Sequence, residues 1–225
     1  MFERLFEHGG VTAALDLAPE PGASPVPDLA ALRARIRRLE GAESPGDVIG
    51  FGVPEALRSA FPTGLRAGAT YAATGSLTLA LMLLAEACSQ GAWSAVVGLP
   101  GLGLEVATRM GLDLDRTLFV PAPGDQWATA VAALAEIVPV VLARPVRLVP
   151  TEASRLTARL RERGCTLLLT EQPPSTWPAM QATLHASPAG WRGLGDGHGC
   201  LLQRRLAIQV SQRTGRTTRH HLEVS

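Results

Sequence analysis

Apolar residues in this chain gather in short unbroken runs that alternate with longer stretches of helical spacing. Leu29, Leu32, Ile36 and Leu39 recur at intervals of three and four, with Arg33, Arg35, Arg37 and Arg38 on the remaining positions. That spacing predicts an amphipathic helix over Leu29–Glu40. Asp28 is placed to start it and Gly41 to stop it. The segment before it, Ala18–Pro27, carries so many prolines that regular structure is excluded and a linker is expected. Residues 1–45 therefore read as an arm and residues 46–225 as the main domain. The helix either lies on its own domain or docks on a partner through Leu29, Leu32, Ile36 and Leu39, a narrow seam suited to a groove.

Within the main domain the pattern predicts an opening strand near Asp47–Val53, a short helix, and a glycine turn feeding a central strand at Ala67–Tyr71. A long apolar helix follows over Leu77–Ala87. Further strands are expected at Ser94–Val97, Thr117–Val120, Val138–Ala143 and Cys165–Thr170. Helices are expected at Glu105–Met110, at Gln126–Ile137 capped by Asp125, and at Glu152–Arg163 capped by Thr151. Continuously apolar strands alternating with helices call for an α/β fold, a mostly parallel sheet covered on both faces. The end of the chain differs. Cys200–Val210 and Arg216–Val224, parted by a turn at Gly215, read as a C-terminal β-hairpin over about 199–224. It carries Arg204, Arg205, Arg213, Arg216 and Arg219, with Glu223 as its one acid. Those arginines protect a solvated edge, bind a protein partner, or touch nucleic-acid phosphate. The last reading ranks lowest because the tail has no aromatic side chain for stacking.

Composition changes this picture in three ways. At 225 residues and 46% hydrophobic content, the chain can bury a sizeable core. A net charge of +1 excludes a global pull toward nucleic acid or membrane, so any basic surface is local. All 21 basic residues are arginines, and asparagine is also absent, as codon bias in a GC-rich genome would produce. The cysteines, Cys88, Cys165 and Cys200, lie far apart, which fits a reduced, cytoplasmic protein. The N-terminus has no signal-type apolar region, and the run at Leu77–Ala87 is too short to cross a membrane.

The candidate chemistry is mostly a list of missing parts. A nucleotide-hydrolysing α/β domain needs a glycine-rich loop with a lysine, a carboxylate for magnesium and a carboxylate to position water. Between Tyr71 and Ser76 only Ala72-Ala73-Thr74-Gly75 remain, and no lysine follows. The strand ending at Ala143 leads into Arg144-Pro145, and the strand ending at Val97 into Gly98-Leu99-Pro100, neither with an acid. Glu171 and Gln172 stand where open sheets place functional groups, yet read as strand-end polar residues. The glycines from Gly98 to Gly103 only faintly match a dinucleotide turn, with Pro100 interrupting them. Asp113 and Asp115 read as turn acids. His220 and His221 alternate along a strand and so point to opposite faces.

These residues resemble a known family. Gly64–Tyr71, the shortened connection, Ser76–Leu79, Arg109–Val120 and Leu167–Gln172 are similar in layout to the core of RecA-type recombinases, over roughly Val48–Gln172. With the phosphate loop cut away, an arginine-rich N-terminal helix and a basic C-terminal hairpin, the chain most resembles ImuA-type proteins, in particular the actinobacterial ImuA′ branch. The resemblance implies a RecA-like sheet with a degenerate phosphate-binding loop. It implies no catalysis, no cofactor and no metal, but a role as adaptor in an SOS-induced translesion-synthesis mutasome. The implied partners are an ImuB-type inactive polymerase homologue, the RecA recombinase and an error-prone replicative-type polymerase, with DNA contact weak or indirect and self-association open. It also implies a cytoplasmic, nucleoid-associated location during DNA damage. In that layout Leu99 replaces the catalytic glutamate, Ala143 or Arg144 the magnesium aspartate, and Gln172 matches a nucleotide-sensing glutamine. Two alternatives follow from the same core: a SulA-like cell-division inhibitor, and a nucleotide-dependent DNA-binding ATPase with an unusual site.

Overall fold

The structure is a computed structural model that describes residues 50–174, 177–178, 180–195 and 198–224. The helix expected over 29–40, with Leu29, Leu32, Ile36 and Leu39, lies outside the described residues.

The chain builds from β1 (Thr70–Thr74), every residue of which is buried. From it the backbone turns at once into α1 (Leu77–Ser89), whose leucines and alanines leave little polar surface. A helix apolar on nearly every side belongs inside a domain. Leu79, Leu83 and Leu84 are fully buried. β2 (Ser94–Val97), α2 (Leu104–Arg109), β3 (Thr117–Val120), α3 (Trp127–Leu134), β4 (Val140–Ala143), α4 (Pro150–Arg163) and β5 (Thr166–Leu169) follow. Gly164 ends α4 in the left-handed conformation, at φ 67°, where a side chain would be strained. The last three elements are strands, β6 (Ala182–Gly195), β7 (His198–Gln212) and β8 (Thr217–Val224).

Among the described residues all eight strands form one sheet in the order β3-β2-β4-β5-β1-β6-β7-β8. Pairing is parallel from β3 through to β6, and antiparallel for β6–β7 and β7–β8. Side chains of successive strand residues go to opposite faces and feed two cores. Val96, Val140, Leu142 and Leu168 pack with α1, and Leu184, Leu206, Ile208, Val210 and Leu222 continue that core under β6–β8. Ala95, Val97, Val141, Ala143, Leu167 and Leu169 join α3 and α4 on the other face. The expected α/β architecture, a mostly parallel sheet with helices on both faces, is the one observed, and it is consistent with a RecA-like fold.

Several local expectations need correcting. The opening strand reduces, within the described residues, to a single bridge between Phe51 and Leu65. Asp125 does not cap α3, because it sits inside a 3-10 turn, Gly124–Gln126, that runs directly into Trp127. Nor does Thr151 cap α4. Pro150 occupies the first helical position, where its fixed φ and missing N–H cost nothing, and Val149 precedes it in extended conformation. The largest omission is β6. Ser187-Pro-Ala-Gly-Trp-Arg-Gly has the composition of a loop. It nonetheless pairs along its length with β7, the irregularity being absorbed at register shifts between Pro188 and Gly190 and between Arg192 and Leu194. The C-terminal hairpin is therefore the outer part of a three-stranded antiparallel unit.

Candidate functional site

The carboxyl ends of parallel strands are where an α/β sheet builds a ligand site, and β1 would supply its phosphate loop. Here the connection from β1 to α1 is only Gly75-Ser76. Thr74 stands opposite His185 in register, with Thr74 Oγ1 2.9 Å from His185 Nδ1. Gly75 adopts φ 80°, and a Cβ there would come within 2.0 Å of the Ala186 carbonyl oxygen. The backbone of β6 thus presses against the turn at the place where a phosphate loop would rise. Glycine fits because it alone allows both that φ and that approach.

The neighbouring strand ends carry no carboxylate aimed at that turn. Leu99, after β2, is buried. After β4 comes Arg144, and its Nε lies 3.2 Å from Glu171 Oε1 beyond β5, both side chains more than half exposed. A guanidinium therefore follows the end of β4, and the glutamate beyond β5 is its ion-pair partner. Gln172 is exposed. Behind this edge Trp127 and Trp177 meet edge to face, with centroids 6.2 Å apart and planes at 82°. They close the α3 side of the edge with apolar bulk. Gly98 has φ 74°, but α2 beyond it is a single short helix of six residues, Leu104–Arg109. Asp113 is a turn acid as expected, its carboxylate accepting the Asp115 backbone N–H at 3.0 Å.

The antiparallel unit carries the basic residues, and the structure separates them. β6 runs parallel to β1 and continues past Thr74, so Gly190–Gly195 with the paired start of β7 extends beyond the carboxyl edge as a ribbon, flanked by β8 at Gly190 and Trp191 and two-stranded from Arg192 onward. On one face of that ribbon Trp191 stands opposite Arg204, next along the face from Leu202. Trp191 is 52% exposed and Leu202 64%. Large apolar side chains so open beside an arginine have the composition of a protein-binding hot spot. On the other face Arg192 and Arg205 converge on Glu223, at 3.4 and 3.6 Å. Arg213 and Arg216 flank the turn at the opposite end, about 25 Å from Arg205 at the usual rise per strand residue. That turn is held by Gln212 N–H donating to the Arg216 carbonyl. Arg219 lies on the outer face of β8 with no acidic partner among the described residues. Of the five tail arginines, Arg204 and Arg205 thus lie toward the ribbon, Arg213 and Arg216 at the turn, and Arg219 midway between them on β8. Trp191 and Arg192 escaped the sequence reading because the strand that carries them did.

Other places offer less. Among the described residues no group of three or more His, Cys, Asp and Glu gathers as for a metal ion. No described helix is long and apolar enough to cross a membrane. Cys88 and Cys165 are buried, and burial pushes the Cys165 thiol up to about 12. An open groove of 390 Å³ lies between α3 and α4, floored by small residues such as Ala128 and Ala132 and rimmed by Glu152 and Arg155.

Residues 59–179, more than half of the chain, match the family model described as the MT3502 N-terminal domain. The chain is also similar to the uncharacterized protein Rv3395c of Mycobacterium tuberculosis. The two are 31% identical over 137 residues, 60% of this chain and 66% of that protein, so the match spans just under two thirds of the relative.

Proposed function

The chain belongs to the MT3502 N-terminal domain family, and we propose that it is a non-catalytic, RecA-like adaptor of the ImuA and ImuA′ type, serving an SOS-induced translesion mutasome through protein contacts. The observation that carries the reading is the meeting of Gly75 with the Ala186 carbonyl, which leaves no room for a phosphate loop between β1 and α1. The Arg144–Glu171 pair supports it, because a cation stands where magnesium chemistry needs an anion. Open Trp191 and Leu202 beside Arg204 supply a surface fit for a protein partner. In this reading the fold survives as a rigid platform, the antiparallel ribbon meets the polymerase-like partner, and the arm at Leu29–Leu39 offers a second contact.

Affinity capture of the tagged full chain from DNA-damaged cells, with mass spectrometry of what is retained, tests the proposal. Recovery of an inactive Y-family polymerase homologue, lost in Trp191→Ala/Leu202→Ser, is the expected result. Recovery of the tubulin-like division protein in its place moves the chain to a division-inhibitor role. Saturable micromolar binding of ATP in calorimetry overturns the non-catalytic part.

A further inference from the structure

β8 is the last strand of the sheet, so among the described residues one side of its backbone has no strand beside it. Its eight residues alternate strictly. Thr217, Arg219, His221 and Glu223 are exposed on the outer face, while Thr218, His220, Leu222 and Val224 are half-buried or buried on the inner one. A bare strand edge is a template for another strand, and charges on it restrict which strand can join. The spacing of these charges selects one partner.

We propose that β8 pairs antiparallel with β8 of a second copy of this chain, about a two-fold axis perpendicular to the sheet and centred on His221. Such an axis keeps the two outer faces on the same side, so residues equally far before and after the centre stand opposite one another. Centred on His221, Arg219 of each copy faces Glu223 of the other, and both pairs are opposite in charge. Centred on Arg219, like charges meet at the axis. Centred on His220, Arg219 faces a histidine and Glu223 a threonine. Only the first register matches every charge on the face, and cross-strand charge pairs are the side-chain contacts that set strand register. Arg219, the single arginine of β8, has no acidic partner among the described residues. Glu223 meets its two arginines, Arg192 and Arg205, only at 3.4 and 3.6 Å, leaving its carboxylate room for a third donor. The edge of eight residues is about 26 Å long. Pairing across it alone makes a small interface, so the association is reversible and concentration-dependent.

Sedimentation of the purified full chain from about 1 to about 200 µM tests this without any other protein, a range suited to a small interface. Its failure is therefore distinct from failure of the adaptor reading. The expected result is a reversible monomer–dimer equilibrium, weakened roughly tenfold or more by Arg219→Glu or by Glu223→Arg, because both pairs become repulsive in each variant. Mixing the two variants restores dimers, since each then presents the charge the other lacks. A strictly monomeric chain overturns the proposal, as does a dimer indifferent to both substitutions. Should Glu223→Arg fail to fold because Arg192 and Arg205 lose their carboxylate, a cross-link answers in its place. In a Cys200→Ser background, His221→Cys at the axis forms an intermolecular disulfide under mild oxidation, whereas Thr217→Cys does not. Equal cross-linking at the two positions, or none at His221→Cys, overturns the register.

Discussion

Every residue of β2, β4 and β5 is buried, whereas along β8 exposed and covered residues alternate from end to end. The first three strands lie between α1 on one face and α3 and α4 on the other. β6 to β8 contribute one face to the α1 core and leave the other to solvent. Parallel strands joined by crossover helices are covered twice, and antiparallel strands joined by tight turns need cover only once. The difference divides the molecule's work. The strands of the doubly covered half offer no face of their own to a partner, and their ends are closed by Gly75 against Ala186 and by Arg144 with Glu171. The singly covered half carries the open Trp191 and Leu202, the tail arginines and, among the described residues, an edge strand with no neighbour.

Substitutions at matched positions break the comparison most sharply. Leu168→Asp and Leu169→Asp each bury a charge in a different core, so both cost more than about 4 kcal/mol and abolish folding. In β7 only the inner face behaves that way. Ile208→Asp is as damaging, while Gln209→Asp shifts stability by less than about 0.5 kcal/mol, read by chemical denaturation. At the seam between the halves, Gly75→Ala combines an unfavourable φ with a backbone clash and costs roughly 3 kcal/mol.

Smaller effects sharpen it. The buried Tyr71 hydroxyl accepts the Arg66 backbone N–H at 2.8 Å, so Tyr71→Phe costs about 1 to 2 kcal/mol by leaving that donor unpaired. Burial raises the Tyr71 pKa, and its contact with Arg66 only partly offsets this. The folded state thus holds the proton more tightly than the unfolded chain, and the stabilisation is complete below the ordinary tyrosine pKa. It is lost as pH rises above that value, so the alkaline fall in melting temperature is shallower in Tyr71→Phe.

Glu136 tethers α4 through Arg159 and Arg163, at 2.7 and 2.9 Å. Partial burial pushes its pKa up, but hydrogen bonds and charge from the two arginines outweigh that and leave it lowered. Its contribution is therefore present above the usual carboxylate pKa and lost as pH falls through the lower folded value. Glu136→Gln costs up to about 1 kcal/mol at neutral pH, the arginines being half exposed, and the difference from the parent vanishes in acid. The mildest test leaves stability untouched. Cys200, exposed on the ribbon, reacts with a thiol reagent in the native protein. Cys88 and Cys165, both in the covered cores, react only on unfolding.

The covered half was legible from the pattern of residues alone. Val140–Ala143 and Leu167–Leu169 are unbroken apolar runs that no exposed element could carry, and Leu77–Ser89 is too apolar to lie anywhere but inside. The residue order also shows that the β1–α1 connection is too short for a phosphate loop, since that is a matter of counting residues between Tyr71 and Ser76. Helix starts were harder to read, because Pro150 and a 3-10 turn took the places that Thr151 and Asp125 would have filled as caps. In the other half the hairpin of β7 and β8 was legible in its alternation, and β6 came only from long-range pairing. Ser187–Gly193 has the local composition of a loop and becomes a strand because β7 supplies hydrogen bonds and bulges take up its proline and glycines. With β6 in place, Trp191 comes to stand beside Arg204, His185 beside Thr74, and the Ala186 carbonyl against Gly75. Each of those meetings joins residues distant along the chain. Hydrophobic pattern and local propensity report what a segment buries, and they carry no record of which distant segment lies beside it.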